Sequence, residues 1–156
     1  MSKKQFVLIM TDTQRLDMVS CYEDVGIQTP NIDSLAVDGI KFNKAYTVQP
    51  VCGPARSAIF TGQYPCINGA YTNCVAPGLN VRTIGQRLSD KGIYTGYIGK
   101  WHLDGGDYFG LGTAPEGWDP DVWYDMRNYL DELTDEERYK SRQTETMEKE
   151  DIPEEF

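Results

Sequence analysis

The chain has 156 residues, with 15 Lys and Arg against 24 Asp and Glu, for a formal net charge of −9. That length is the ordinary size of one domain, and its 40% apolar residues with 10 Tyr, 5 Phe and 3 Trp exclude a disordered chain. The longest apolar run, Phe6 to Met10, is too short to span a bilayer or to form the apolar region of a signal peptide. No membrane partner is expected, and the expected setting is cytoplasmic, or periplasmic or secreted if a leader has been removed.

In chain order, residues 5–11 read as a fully buried strand, a short run of β-formers ending at Thr11-Asp12-Thr13. Residues 31–38 read as a short helix, introduced by Thr29-Pro30 and stopped by Gly39. Ile40 to Val48 is a candidate strand. A helix is expected to begin near residue 53, because Pro54 suits the start of a helix and Ala55 to Phe60 can continue it. Thr83 to Lys91 reads as a further helix closed by Gly92, and Ile93 to Ile98 as a second buried strand. Strands alternating with helices imply an α/β fold with a mainly parallel sheet flanked by helices.

After His102 the texture changes. Residues 104–121 are rich in Gly, Pro and Asp and read as a long loop. Val122 to Leu133 is a candidate helix, and Thr134 with Glu137 three residues on is a capping-box pattern for another. Residues 143–156 hold little that could pack, and fraying is expected there. Charge follows the same division: residues 1–103 carry a net +3 and residues 104–156 a net −12. The strong overall acidity argues against a nucleic-acid partner, whose phosphates require cations. The two parts are therefore read as doing different jobs, residues 1–103 as an α/β region and residues 104–156 as a loop and an acidic helical segment of the same domain.

The four cysteines, Cys21, Cys52, Cys66 and Cys74, match no zinc spacing, and the single histidine, His102, cannot complete one. Without a secretory context, most of them are expected to be free thiols. Asp12 ends one expected strand and Lys100 with His102 follows another, where open α/β sheets bind ligands. Cys52 precedes a helix, whose N-terminus offers free N–H groups to an anion. An acid for a metal, a sulfur and two cationic or proton-carrying groups would suit transfer of a tetrahedral anion. Each residue also has a structural reading: Asp12 as a cap, Cys52 as a small buried apolar group, His102 as a satisfied core histidine and Lys100 as a surface charge. Trp118, Trp123 and Tyr124 are candidates for a sugar subsite, with packing as the alternative.

Cys52-Gly53-Pro54-Ala55-Arg56, followed by Thr61-Gly62, resembles the sulfatase signature C-x-P-x-R…T-G. Gly92 to His102 resembles the second signature, G-x-x-T-x-x-x-G-K-x-H, and Val7 to Arg15 resembles the strand that brings the first metal ligands. Thr29-Pro30-Asn31-Ile32-Asp33 is also similar to family sequence. The resemblance, to type I sulfatases of the alkaline phosphatase superfamily, covers about residues 5–103 and implies the N-terminal part of an incomplete sulfatase fold.

The resemblance implies hydrolysis of sulfate esters, on a sulfated small molecule or saccharide, with one calcium ion. It implies oxidation of Cys52 to formylglycine by a maturation enzyme guided by Pro54 and Arg56. A hydrated aldehyde has two hydroxyls: one attacks sulfur, and deprotonation of the other releases sulfate without a second attack on sulfur. Asp12 and the modified Cys52 would bind the metal, with Thr13 at a position where the family often has a second aspartate. Arg56 would hold the diol, Lys100 a sulfate oxygen, and His102 would take the diol proton. Two further metal ligands, a second lysine and a second histidine come from later in family members; no histidine follows His102 here. The chain alone is therefore expected to be inactive. Two alternatives stand beside this reading: a phosphodiester or phosphonate ester hydrolase of the same superfamily, or a non-catalytic truncated module that self-associates through an exposed sheet edge.

Overall fold

The computed structural model of the chain describes residues 4–24 and 26–141. They fall into two compact units divided between Thr47 and Val48; the expected fraying of residues 143–156 lies outside the described residues.

The first unit is built around a polar knot. A single turn, Leu16–Met18, precedes helix α1, Pro30–Asp38. Proline suits a first helical position because its missing N–H would have had no partner there, and the helix lies where Thr29-Pro30 and Gly39 predict it. Asp33 accepts from Ser20 Oγ at 2.6 Å, the Cys21 N–H at 2.9 Å and Thr29 Oγ1 at 3.0 Å. These bonds, led by that of Ser20, hold its carboxyl below the ordinary carboxylate range against a smaller opposing desolvation. The loop after α1 returns to the same place: Lys41 Nζ donates to the Cys21 carbonyl at 2.9 Å, and Tyr22 Oη to the Phe42 carbonyl at 3.0 Å. Val19 is the buried apolar side chain of this unit among the described residues.

Two expected strands do not form in this unit. Residues 5–11 and 40–48 carry no sheet pairing, and Phe6 and Ile9 are 84% and 80% exposed. An apolar run reports that a segment gains from burial, but a strand also needs a neighbour for its backbone groups. The strands among the described residues both belong to the second unit. With no neighbouring strand among the described residues of their own unit, these segments stay irregular, and the expected burial of residues 5–11 is not met.

The second unit holds a two-stranded parallel sheet with helices around it. Helix α2, Cys52–Thr61, starts one residue before the expected place and carries Pro54 in its first turn. Gly62 closes it at φ +70°, donating its N–H to the Ala58 carbonyl at 2.8 Å, the left-handed stop that glycine adopts without strain. A short helix, α3, Pro65–Asn68, follows. Between them Asn68 is buried and fully used. Its Nδ2 donates to Ser57 Oγ, Thr61 Oγ1 and the Gln63 carbonyl at 3.1–3.2 Å, and its Oδ1 accepts from the Ala70 N–H at 2.9 Å. Helix α4, Ile84–Ser89, lies inside the predicted span and begins with a capping box between Thr83 and Gln86.

Strand β1 is shorter than the sequence suggests, Tyr97–Gly99 rather than 93–98. It pairs in parallel with β2, Trp123–Asp125, in the register Tyr97 to Trp123, Ile98 to Tyr124 and Gly99 to Asp125. Residues 100–122 make the crossover that a parallel pair requires; they are loop, as expected, apart from a turn at Pro120–Val122. The helix expected from Val122 starts later, as α5, Met126–Glu132. Asp125 explains the boundary. Its carboxylate accepts from the Arg127 and Asn128 N–H groups while Asn128 reaches back to the Asp125 N–H, so the chain must be extended up to Asp125 before it can turn helical. Helix α6, Asp135–Ser141, follows the predicted box, with Thr134 and Glu137 exchanging hydrogen bonds.

The core of this unit is aromatic. Trp101 is 2% exposed and lies 4.9 Å from the Phe60 ring, 5.1 Å from Tyr97, 5.7 Å from Trp118 and 5.4 Å from Trp123, in tilted or edge-on geometries. Such arrangements favour ring edges against ring faces. Trp118 and Trp123 thus pack, and Tyr124 donates to Glu132 at 2.7 Å. Helix α4 reaches the cluster because Gly85 has no side chain: a Cβ there would lie 2.6 Å from the Trp118 indole.

Candidate active site

Cys52 is the first residue of α2 and is half-buried. Asn73 fixes this helix start, its Oδ1 accepting from the Gly53 N–H at 2.9 Å. A Cβ on Gly53 would stand 3.2 Å from that oxygen and 3.4 Å from the Thr72 carbonyl, so the close approach favours glycine between Cys52 and Pro54. Arg56 is one helical turn after Cys52, where side chains share a face. Inside the same helix Ser57 Oγ donates to the Pro54 carbonyl and Thr61 Oγ1 to the Ser57 carbonyl, at 2.8 and 2.6 Å. Thr61 and Gly62 of the first signature thus act as helix and hub supports.

Arg56 is buried and donates through Nη1 to the Lys100 carbonyl and, at 3.4 Å, to Tyr97 Oη. Tyr97 Oη donates to the same carbonyl. Burial pushes the Tyr97 phenol up, with the Arg56 guanidinium opposing the shift, so at neutral pH it remains a donor. The cation of the first signature is thereby tied to the backbone of the second. Two positive-φ residues turn the chain there, Gly99 at +105° and His102 at +60°; the second is uncommon for a residue with a Cβ and costs on the order of 1 kcal/mol. Thr95, the threonine of G-x-x-T, donates to the Gly117 carbonyl at 2.6 Å and so fastens the crossover loop beside the strand.

Lys100 and His102 are both buried. Lys100 Nζ stands 3.6 Å from the centre of the Tyr108 ring, and the same ring meets the His102 imidazole edge-on at 5.7 Å. His102 Nε2 lies 4.0 Å from Cys74 Sγ. Cys74 follows Asn73, which links the histidine to the start of α2 through two adjacent residues. All four cysteines are free thiols, as expected.

Of the six residues singled out from the sequence, four therefore lie in the second unit, joined by α2, β1 and the loop that follows it. Asp12 and Thr13 belong to the first unit, where both are exposed and Thr13 Oγ1 donates to Asp12 Oδ1 at 3.3 Å. Hard oxygens of this kind fit calcium, but calcium takes six to eight of them. Among the described residues no three His, Cys, Asp or Glu side chains are grouped to hold a metal ion. The donors fit as part of a calcium set, which they do not complete.

Sequence reasoning missed Asn73, Tyr97, Cys74 and Tyr108. None belongs to a charged or catalytic pattern: Asn73, Cys74 and Tyr97 act across 20 or more residues, on Gly53, His102 and Arg56, and Tyr108 acts from a loop six to eight residues after His102 and Lys100. The one available signal was Tyr108, an aromatic residue inside a Gly- and Asp-rich loop.

The chain matches the family model described as Sulfatase over residues 4–151. It is 55% identical over 137 residues to the uncharacterized sulfatase YidJ of Escherichia coli K12, covering 88% of this chain and 28% of that protein. It is 34% identical to the N-acetylglucosamine-6-O-sulfatase of Bacteroides thetaiotaomicron, covering 83% of this chain and 25% of that protein. Among solved structures it resembles BT4656 in complex with its substrate D-glucosamine-2-N,6-O-disulfate, with TM-score 0.61 and 36% identity over 70% of this chain and 21% of that one. The chain thus spans about a quarter of the length of these curated relatives, and it belongs to the sulfatase family.

Proposed function

We propose that this chain contributes the nucleophile side of an active site that hydrolyses sulfate esters on a saccharide. The observation that carries the reading is the tie between the two signatures: buried Arg56, on the helix that Cys52 begins, bonds the carbonyl of Lys100, two residues before His102. This tie supports reading the residues of the two signatures as parts of one site for sulfate transfer. The relatives support the choice of a saccharide, one of them being an N-acetylglucosamine-6-O-sulfatase and one solved with a disulfated glucosamine.

Cys52 would be converted to formylglycine, which supplies a hydroxyl nucleophile and a second hydroxyl for releasing sulfate. Calcium would be held in part by Asp12, Thr13 and the modified Cys52, and would polarise the sulfate. Lys100 would bind a sulfate oxygen as negative charge gathers on it. His102 would accept a hydroxyl proton through its imidazole. Arg56 would offset charge at residue 52 while its bond to the Lys100 carbonyl keeps the lysine in register. The partners of this reading are a sulfated saccharide and a formylglycine-generating enzyme. Among the described residues no helix is long and apolar enough to cross a membrane.

The test is co-production with a formylglycine-generating enzyme, followed by mass spectrometry of the peptide containing Cys52 and titration with inorganic sulfate. Conversion at Cys52, lost on Arg56→Ala, and sulfate binding lost on Lys100→Met are the expected results. An unmodified Cys52 beside a fully converted control sulfatase peptide would overturn the reading. Little turnover of a sulfated glucosamine or its phosphate analogue is expected from the chain by itself, since it spans about a quarter of its relatives.

A further inference from the structure

Tyr108 makes two contacts that neither signature accounts for. Its ring face lies 3.6 Å from Lys100 Nζ, and its ring meets His102 at 5.7 Å and 64°. A lysine has a flexible four-carbon stem, and an ammonium that samples many positions loses entropy on binding an oxyanion. A π face under the ammonium narrows that sampling without adding negative charge that would compete with sulfate. An edge-on ring beside the imidazole limits its rotation in the same way.

The loop holds Tyr108 on both sides. Asp107 receives both of its oxygen contacts with Arg127 Nη2 at 2.9 Å and accepts the Phe109 N–H at 2.9 Å. Desolvation is the largest single influence on its carboxyl and pushes it up, but the Phe109 and Gly110 N–H groups and the Arg127 guanidinium together hold it below the ordinary range, so it stays charged in this clamp. Arg127 Nε donates to the Gly110 carbonyl at 3.1 Å, and Asp104 Oδ2 accepts the Leu111 N–H at 2.9 Å. Arg127 is itself fixed in the first turn of α5, where Asp125 accepts its N–H. Helix α5 thus anchors the loop that carries Tyr108.

We propose that Tyr108 is a positioning residue, which holds the Lys100 ammonium and the His102 imidazole in place for an anionic sulfate group. The inference rests on the reading of Lys100 as the sulfate-binding cation. It assigns the contribution to the ring face rather than the hydroxyl, so phenylalanine should replace tyrosine and leucine should not.

The experiment compares the chain with its Tyr108→Phe and Tyr108→Leu variants, and with Lys100→Met. Proton chemical shifts of the Lys100 side chain report the ring directly, and titration with inorganic sulfate reports its consequence. Lys100 methylene protons should be displaced upfield by the ring current in the parent and in Tyr108→Phe, and return to ordinary positions in Tyr108→Leu. Sulfate affinity should fall about fivefold in Tyr108→Leu and stay within about twofold in Tyr108→Phe. A smaller loss is expected from Asp107→Asn, which loosens the clamp and leaves the ring. Ordinary Lys100 shifts in the parent, or equal shifts and affinities in Tyr108→Leu, would overturn the inference. If Lys100→Met leaves sulfate binding unchanged, the sulfate reading of Lys100 fails instead, and the Lys100 shifts still decide whether Tyr108 holds the ammonium.

Discussion

In the second unit Phe60, Trp101 and Trp123 are buried against one another, whereas in the first Phe6, Val7 and Ile9 stand in solvent. Both stretches are apolar, so the difference lies in what surrounds them. The second unit contains two strands that pair, a glycine that lets α4 reach Trp118, and helices stopped and started by caps. Among its described residues the first unit has one α-helix and a polar knot around Asp33. A motif residue is placed well where its own neighbourhood closes around it, and Arg56, Lys100 and His102 enjoy that closure while Asp12 does not.

The largest expected effect tests this contrast directly. Trp101→Ala should destabilise the second unit by about 4 kcal/mol, the usual cost of removing a large buried aromatic side chain. Phe6→Ala should change stability by less than about 0.5 kcal/mol, as substitutions at exposed positions do. Denaturant unfolding followed by tryptophan fluorescence measures both. Comparable losses from the two variants would mean that the apolar run at residues 6–9 is buried in solution.

Asn68 gives the next effect. Replacing it with Leu leaves Ser57 Oγ and Thr61 Oγ1 with one partner fewer each and the Ala70 N–H with none from this side chain, in a buried place. A loss of about 2–3 kcal/mol follows from unsatisfied buried groups, and it should appear in the melting of the second unit. A neutral Asn68→Leu would show that water reaches this hub and that the α2–α3 turn is looser than its geometry.

How much of this could be seen in the sequence depended on the range of the interactions involved. The helix starts at Pro30, Cys52 and Ile84 were legible because prolines and capping residues act within one turn. The capping box of Thr134 and Glu137 was legible for the same reason. The strand at residues 5–11 was misread because an apolar pattern cannot show whether a neighbouring strand is at hand. Helix α5 was placed four residues early because Trp123 has helical spacing with Met126 and Leu130, and only pairing with Tyr97 makes it strand. For the site, family resemblance picked out Cys52, Arg56, Lys100 and His102. The partners that hold them, Asn73, Tyr97 and Tyr108, come from loops or strands whose distances no local pattern encodes.

Gly85→Ala sharpens the contrast from the packing side. A methyl group there would lie 2.6 Å from the Trp118 ring, so either the indole or α4 must shift. Overpacking of this kind costs about 1–3 kcal/mol, against a small gain from replacing glycine in a helix. The indole fluorescence maximum should move together with the loss of stability. Gly39 provides the counterpart in the first unit, because a Cβ there would meet only the Leu35 carbonyl, at 2.8 Å. Gly39→Ala should quicken hydrogen exchange at the end of α1, where the new methyl would crowd the Leu35 carbonyl, and exchange there unchanged from the parent would show that the following loop gives way instead.

The smallest effect belongs to the first unit and depends on pH. Asp33 titrates below its ordinary value because Ser20, Thr29 and the Cys21 N–H bond its charged form. A depressed carboxyl contributes stability that is complete above its unfolded value, near pH 4, and is lost as the pH falls through the lower folded value. Protonation removes acceptors from Ser20 Oγ and the Cys21 N–H, so hydrogen exchange at Cys21 and in the first turn of α1 should quicken below about pH 4. Exchange in α2 should not follow the same curve, because its start is held by the uncharged Asn73 amide. Asp33→Asn should abolish the acid step in the first unit while leaving that of the second unit intact. A step that persists in Asp33→Asn would assign the acid sensitivity to another carboxylate and detach the knot from this explanation.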